Sequence, residues 1–174
     1  MTAERRILVL GYGNPGRLDD GLGAKFAERL DEMAIPGVTV DANYQLNVED
    51  APVVARHDVV VFADADVSVN QPFVLRPVVA AEKSCFTTHH VDPAQVMLLA
   101  RDLFGADTKG FLLGIRGYEF NGFGEWLSDQ AQENLDEALR FFVKLIIDNG
   151  DFEAACREAC APAGEVSCSR QGEG

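Results

Sequence analysis

The segment from Arg6 to Gly23 constrains the fold of this chain more than any other. It begins with the apolar run Ile7–Leu10, which is typical of a buried parallel strand. A glycine-rich turn stiffened by Pro15 follows, and Asp19 and Asp20 then precede a helical pattern. A strand that delivers two carboxylates to the start of a helix predicts a ligand site at the carboxyl edge of an α/β sheet.

The turn at residues 11–16 also fits the G-x-G-x-x-G pattern of a dinucleotide-binding loop, and Asp41 stands near the position of a ribose-binding acid. Electrostatics oppose this interpretation. A dinucleotide loop directs bare N–H groups and a helix N-terminus at a pyrophosphate, whereas here Asp19 and Asp20 occupy that positive end and would repel a phosphate. The carboxylates favour a cation, and a Rossmann-like nucleotide-binding module is kept as the alternative.

Strand and helix patterns alternate along the rest of the chain. Further strands are predicted at 38–40, 59–63, 73–79 and 110–115, and helices at 22–33, 46–55, 93–104 and after Ser128. The run 59–63 is apolar on both faces and is predicted to be central, whereas the strand after Pro72 is predicted to lie near an edge. This alternation predicts a single three-layer α/β domain over residues 1–150, with a twisted, mainly parallel sheet of about five strands flanked by helices.

From residue 151 to 174 the composition changes to small, acidic and polar residues, which predicts a flexible tail. Cys156, Cys160 and Cys168 lie in this segment at a spacing that matches no zinc pattern. We interpret them as solvated thiols in a reducing compartment.

The charge balance narrows the range of partners. Lys and Arg total 15 against 28 Asp and Glu, which gives a formal net charge of −13. This charge argues against nucleic acid and membrane surfaces and suits a basic or metal-bearing partner. No apolar run approaches the ~20 residues of a membrane span, and the residues before the first strand lack the apolar region of a signal peptide. We therefore expect a cytoplasmic protein.

Three candidate metal ligands fall where strands or their loops end. Asp20 follows the first strand, Asp64 ends the central strand, and His89 lies in the loop before the next helix. Because parallel strands end at the same edge of a sheet, we expect these side chains to meet. Two carboxylates and an imidazole can hold a divalent metal with open positions. Such a metal can acidify a bound water and polarise a carbonyl.

Other interpretations of these residues stay open. Asp20 could cap the following helix, and His89 alone could be an ordinary loop histidine. A metallohydrolase that uses zinc on small molecules would need the same ligands. Nucleophilic catalysis by Cys85, which lies beside Ser84, is the weakest alternative because neither residue begins a recognisable motif.

The segments G-Y-G-N-P-G-R-L-D-D-G-L-G (11–23), V-V-V-F-A-D-A (59–65) and T-H-H-V-D-P-A-Q-V (88–96) together resemble the hydrogenase maturation peptidases, over roughly residues 5–147. The resemblance implies an α/β endopeptidase whose partner is the large-subunit precursor of a nickel–iron hydrogenase. It also implies that nickel held by the precursor is the recognition signal for removal of a C-terminal extension. By motif, the residues that contact the nickel are Asp20, Asp64 and His89, with His90 as a possible substitute for His89.

Two departures from that family are visible. Many relatives have Glu at the position of Asp20, so the ligand here is one methylene shorter. The family's glycine-rich turn after the second strand is replaced by A-N-Y-Q-L at residues 42–46. Neither departure removes a group that could bind a metal.

Overall fold

The computed structural model describes residues 6–83 and 91–162. Strands and helices alternate along it as the sequence predicts. In chain order the elements are β1 (Ile7–Tyr12), a 3₁₀ turn (Leu18–Gly21), α1 (Leu22–Glu32), β2 (Val38–Asn43), α2 (Asp50–Val54), β3 (Val59–Asp66), β4 (Phe73–Val78), α3 (Pro93–Phe104), β5 (Lys109–Arg116), α4 (Asp129–Asp148) and α5 (Phe152–Ala159).

The strands form a five-stranded sheet in the order β2-β1-β3-β5-β4. β1, β2, β3 and β5 are parallel, whereas β4 pairs antiparallel with β5 at an edge. Pro77 within β4 fits that position, because an edge strand leaves N–H groups unpaired on one side. The parallel strands all end at one edge, which we call the carboxyl edge.

Each face of the sheet carries its own apolar core. Odd-numbered residues of β3, such as Val61, pack with α1, α4 and α5. Even-numbered residues, such as Phe62, pack with α2 and α3. β3 is therefore buried on both sides, which is why its sequence is continuously apolar instead of alternating. The predicted three-layer α/β domain with a mainly parallel sheet is confirmed.

Local signals set most of the helix ends. The Asp92 carboxylate caps α3 by accepting a hydrogen bond from the Gln95 N–H at 2.8 Å, and Gly105 ends that helix with φ +64°. α2 is shorter than the predicted 46–55, because Asp50 accepts a hydrogen bond from the Asn47 N–H at 2.7 Å and holds those residues in a turn. None of the helices in the described part of the chain is long and apolar enough to cross a membrane.

The predicted start of the tail at residue 151 is wrong. Residues 152–159 form α5, and Phe152 and Cys156 are 2% and 0% exposed within the core beneath α4. The Phe152 ring meets that of Phe142 edge-on, with centroids 5.7 Å apart. The apolar positions 152, 155 and 156 have helical spacing, which the surrounding small and acidic residues obscured.

The cysteine predictions have mixed outcomes. Cys156 is a buried free thiol instead of a solvated one, and burial raises its pKa to about 12. Cys160 is also a free thiol and is partly exposed. Cys168 and the predicted tail from residue 163 onward lie outside the described residues.

Candidate active site at the carboxyl edge

The glycine turn after β1 is closed on itself by backbone contacts. Gly13 has φ +134°, and a Cβ added there would lie 2.0 Å from the carbonyl oxygen of Asp20. A Cβ on Gly23 would lie 2.2 Å from the carbonyl oxygen of Ala63, so the start of α1 sits directly against the end of β3. These two glycines therefore permit close backbone packing within the turn and between α1 and β3.

Asp19 is a structural carboxylate. It is fully buried, and it accepts hydrogen bonds from the N–H groups of Tyr118, Glu119 and Ser128 at 2.8, 2.9 and 2.8 Å. The Ser128 hydroxyl donates a further bond at 2.7 Å. Burial opposes ionisation, but these donors outweigh it and lower the pKa of Asp19. Asp19 thereby ties the turn after β1 to the connection between β5 and α4.

Asp20 is partly exposed at the mouth of the turn. Its Oδ2 accepts a hydrogen bond from the Asn14 N–H at 3.0 Å, which holds the carboxylate over the turn. α1 begins after Gly21, and no side chain caps its first turn. The helix-cap interpretation of Asp20 is therefore wrong.

Asp64 lies near the end of β3 and is largely buried. The β1–β3 register aligns Gly11 with Ala63, so Tyr12 and Asp64 are the next neighbours, and both side chains point to the α2/α3 face. The Asp64 carboxylate accepts a hydrogen bond from the Ala65 N–H at 2.8 Å and interacts with the Tyr12 hydroxyl. Sequence analysis did not identify Tyr12, because cross-strand register is not visible in a single strand.

Burial raises the pKa of Asp64 to about 6. The negative charges of Asp20 and Asp66 act in the same direction, whereas hydrogen bonds from the Ala65 N–H and the Tyr12 hydroxyl act in the opposite direction. The phenol pKa of Tyr12 is raised well above its ordinary value by burial, by the charge of Asp64 and its hydrogen bond, and by the charge of Asp92. The 3₁₀ turn that carries Asp20 contacts β3, and Tyr12 and Asp64 lie towards the ends of neighbouring parallel strands. The three side chains therefore belong to the carboxyl edge.

The described part of this site is a pair of carboxylates without a basic partner. No Lys or Arg within residues 6–83 and 91–162 forms an ion pair with Asp20 or Asp64, whereas the neighbouring Asp66 pairs with Arg76 at 3.3 Å. Two carboxylates without a counter-charge, one of them with a raised pKa, form a site suited to a cation.

The third predicted ligand lies outside the part of the chain that the structure describes. His89 and His90, together with Ser84 and Cys85, lie outside the described residues. Among the described residues, no group of three His, Cys, Asp or Glu side chains is arranged to hold a metal ion. The predicted meeting of Asp20, Asp64 and His89 around one ion stays a prediction.

Comparison with known proteins yields matches among solved structures. No protein-family model matches the chain, and no curated protein matches it. Similar structures are the [NiFe] hydrogenase maturation protease HycI from Thermococcus kodakarensis (24% identity, TM-score 0.66, covering 85% of this chain and 96% of that one) and the hydrogenase maturating endopeptidase HybD from E. coli (23%, 0.64, 83% and 94%). A hydrogenase 2 maturation peptidase from a Thaumarchaeota archaeon matches at 19% identity and a TM-score of 0.61. The resemblance inferred from the sequence is thereby confirmed at the level of the fold, which the chain shares with hydrogenase maturation proteases.

Proposed function

We propose that this protein is an endopeptidase that removes the C-terminal extension of a nickel–iron hydrogenase large-subunit precursor after nickel insertion. The observation that carries the proposal is the carboxylate pair at the carboxyl edge. Asp64 has a pKa of about 6 and lies within the electrostatic reach of Asp20. A cation brought to this edge would relieve their repulsion. We take the nickel of the precursor to be that cation, in keeping with the fold shared with a [NiFe] hydrogenase maturation protease.

In this proposal Asp20, Asp64 and His89 engage the nickel, with His90 as the substitute imidazole. Carboxylate and imidazole are suitable ligands for such an ion. His89 stands three positions before Asp92, whose charge acts on Tyr12 at this edge. Three residues of chain span at most about 11 Å, so chain connectivity keeps His89 within that distance of Asp92.

The nickel is part of the substrate, and the peptidase residues bring the scissile peptide to the carboxyl edge by holding it. Nickel that only positions the peptide and nickel that also activates the attacking water as a Lewis acid both require the two carboxylates. We place the reaction in the cytoplasm, in keeping with the free thiols of Cys156 and Cys160.

The direct test compares cleavage of the nickel-loaded precursor by the wild-type protein, by Asp64→Asn and by Asp66→Asn. We expect Asp64→Asn to lose roughly 100-fold or more in rate, because several kcal/mol of metal contact disappear. Asp66→Asn is the matched control, since its carboxylate lies on the same strand but is paired with Arg76. Undiminished cleavage by Asp64→Asn would remove Asp64 from the mechanism. A wild-type protein that leaves the nickel-loaded precursor intact would contradict the proposed function.

A further inference from the structure

The connection between β5 and α4, residues 117–127, exposes the large side chains of Phe123 and Trp126 and is hydrogen-bonded to the turn that carries Asp20. We call this connection the aromatic loop. Phe123 is 85% exposed and Trp126 is 64% exposed. Exposed aromatic residues that lie together next to a ligand site are typical of binding surfaces, where Trp and other large side chains contribute most of the affinity.

The backbone of the aromatic loop is fixed to the turn that carries Asp20. The Gly124 N–H donates to the Gly16 carbonyl at 2.9 Å, and the Leu18 N–H donates to the Gly124 carbonyl at 3.0 Å. The Asp19 carboxylate binds the N–H groups at the start of the loop. The two aromatic side chains are thus presented from a rigid backbone, which reduces the entropy lost on binding.

Each of the two aromatic side chains has a neighbour in the aromatic loop or in the turn that the loop contacts. The Trp126 ring lies so close over Gly124 that a Cβ there would meet it at 2.4 Å. The Arg17 guanidinium stands 5.9 Å from the centre of the Phe123 ring. Leu18 adopts φ +55°, a strained conformation for a leucine, in the turn that the loop contacts. Such strain is found most often where a surface must be held in a functional shape.

The charges around the aromatic loop indicate the chemistry of its partner. Glu119, Glu125 and Asp129, which lie in or next to the aromatic loop in sequence, are exposed, Arg17 stands beside Phe123, and the whole chain carries −13. A complementary surface has an apolar patch with a basic rim. Because the aromatic side chains stand out into solvent, they fit recesses on a folded protein better than an extended peptide.

We propose that the aromatic loop is the docking surface for the folded body of the precursor. Phe123 and Trp126 enter an apolar patch on the precursor, while its nickel and its scissile segment reach Asp20 and Asp64. This inference rests on the proposed function and extends it to the surface that selects the protein substrate. The aromatic loop contributes to substrate binding and takes no part in the chemical step.

The test measures steady-state cleavage of the nickel-loaded precursor of the hydrogenase from the same genome. The variants are Phe123→Ala, Trp126→Ala and the double substitution. Phe104→Ala is the control, because Phe104 is a 52% exposed aromatic residue at the far end of α3. We expect the double variant to raise KM at least about tenfold while kcat stays within about twofold, and Phe104→Ala to match the wild type.

Binding to the nickel-free precursor, measured by calorimetry, should weaken by a similar factor in the double variant, because the aromatic contacts do not involve the metal. Unchanged KM and unchanged binding in the double variant would overturn the docking surface while leaving the proposed function intact. Absence of cleavage by the wild-type protein would instead overturn the proposed function, and the docking surface with it.

Discussion

Two carboxylates near the same edge of the sheet have opposite surroundings. Asp19 is fully buried and receives three N–H donors and one hydroxyl, and its pKa is lowered. Asp64 has the Ala65 N–H and the Tyr12 hydroxyl as donors, faces the charge of Asp20, and has a pKa of about 6. The ionised form of Asp19 therefore stabilises the fold, whereas the ionised form of Asp64 opposes it. A residue that opposes folding where ligands bind is typical of a functional site.

The largest expected effect is a loss of stability when Asp19, the structural carboxylate, is replaced. Asp19→Ala leaves the N–H groups of Tyr118, Glu119 and Ser128 without their acceptor, so we expect the free energy of unfolding to fall by about 3–4 kcal/mol. Urea unfolding at neutral pH measures this change. Asp20→Ala, which removes a single N–H contact, should change stability by less than about 1 kcal/mol. Equal losses of stability in the two variants would contradict the different roles assigned to Asp19 and Asp20.

The next largest expected effect is a gain in stability, from a substitution of Asp64. Asp64 has a folded-state pKa of about 6 against an ordinary value of 3.8, so the folded state keeps a proton that the unfolded chain has lost between these pH values. Stability contributed by this group therefore falls as pH rises through that window and stays reduced above it. We expect Asp64→Asn to raise the free energy of unfolding at neutral pH by about 1–3 kcal/mol.

Urea unfolding of Asp64→Asn and wild type at several pH values checks this prediction. The advantage of the variant should be absent below pH 3.8, should grow between pH 3.8 and about 6, and should stay constant above that. A variant that is less stable than the wild type at neutral pH would show that the ionised Asp64 carboxylate, like that of Asp19, stabilises the fold.

A smaller effect concerns Tyr12. Its hydroxyl is a donor that lowers the pKa of Asp64, so Tyr12→Phe should raise that pKa further above about 6. The carboxyl carbon of Asp64, followed by NMR across a pH titration, reports the change. Tyr44→Phe, at an exposed tyrosine, is the control. An Asp64 pKa that is unchanged or lowered in Tyr12→Phe would exclude the interaction.

The smallest expected signal is the metal content of the purified protein. In the proposed function the nickel arrives on the precursor, so we expect far less than one equivalent of nickel or zinc per chain by elemental analysis. One tightly held zinc per chain would instead favour the small-molecule metallohydrolase, in which Asp20 and Asp64 belong to a resident metal site.

Much of the fold could be predicted because its signals are local. The apolar run of β3, the Asp92 cap and the Gly105 end of α3 are each encoded within a few residues. α5 was missed because its apolar face is short and its other residues are small or charged. Its burial depends on Phe142 from another helix, which no local pattern reveals.

The carboxyl-edge position of Asp20 and Asp64 could be predicted from the strand ends, but the role of Asp19 could not. Its partners Tyr118 and Ser128 lie 99 and 109 positions further along the chain. The pairing of Tyr12 with Asp64 likewise depends on the register between β1 and β3. Sequence patterns identify which residues reach an edge, whereas tertiary contacts decide which carboxylate is satisfied there.

The central claim is that two acids and one imidazole share a single cation at the carboxyl edge. A crystal structure of the protein soaked with nickel tests it most directly. We predict one ion with Asp20 and Asp64 oxygens and a nitrogen of His89, or of His90 in its place, at about 2.0–2.2 Å. An ion bound by Asp64 without Asp20 or either histidine, or carboxylates that stay apart while nickel binds elsewhere, would contradict the account.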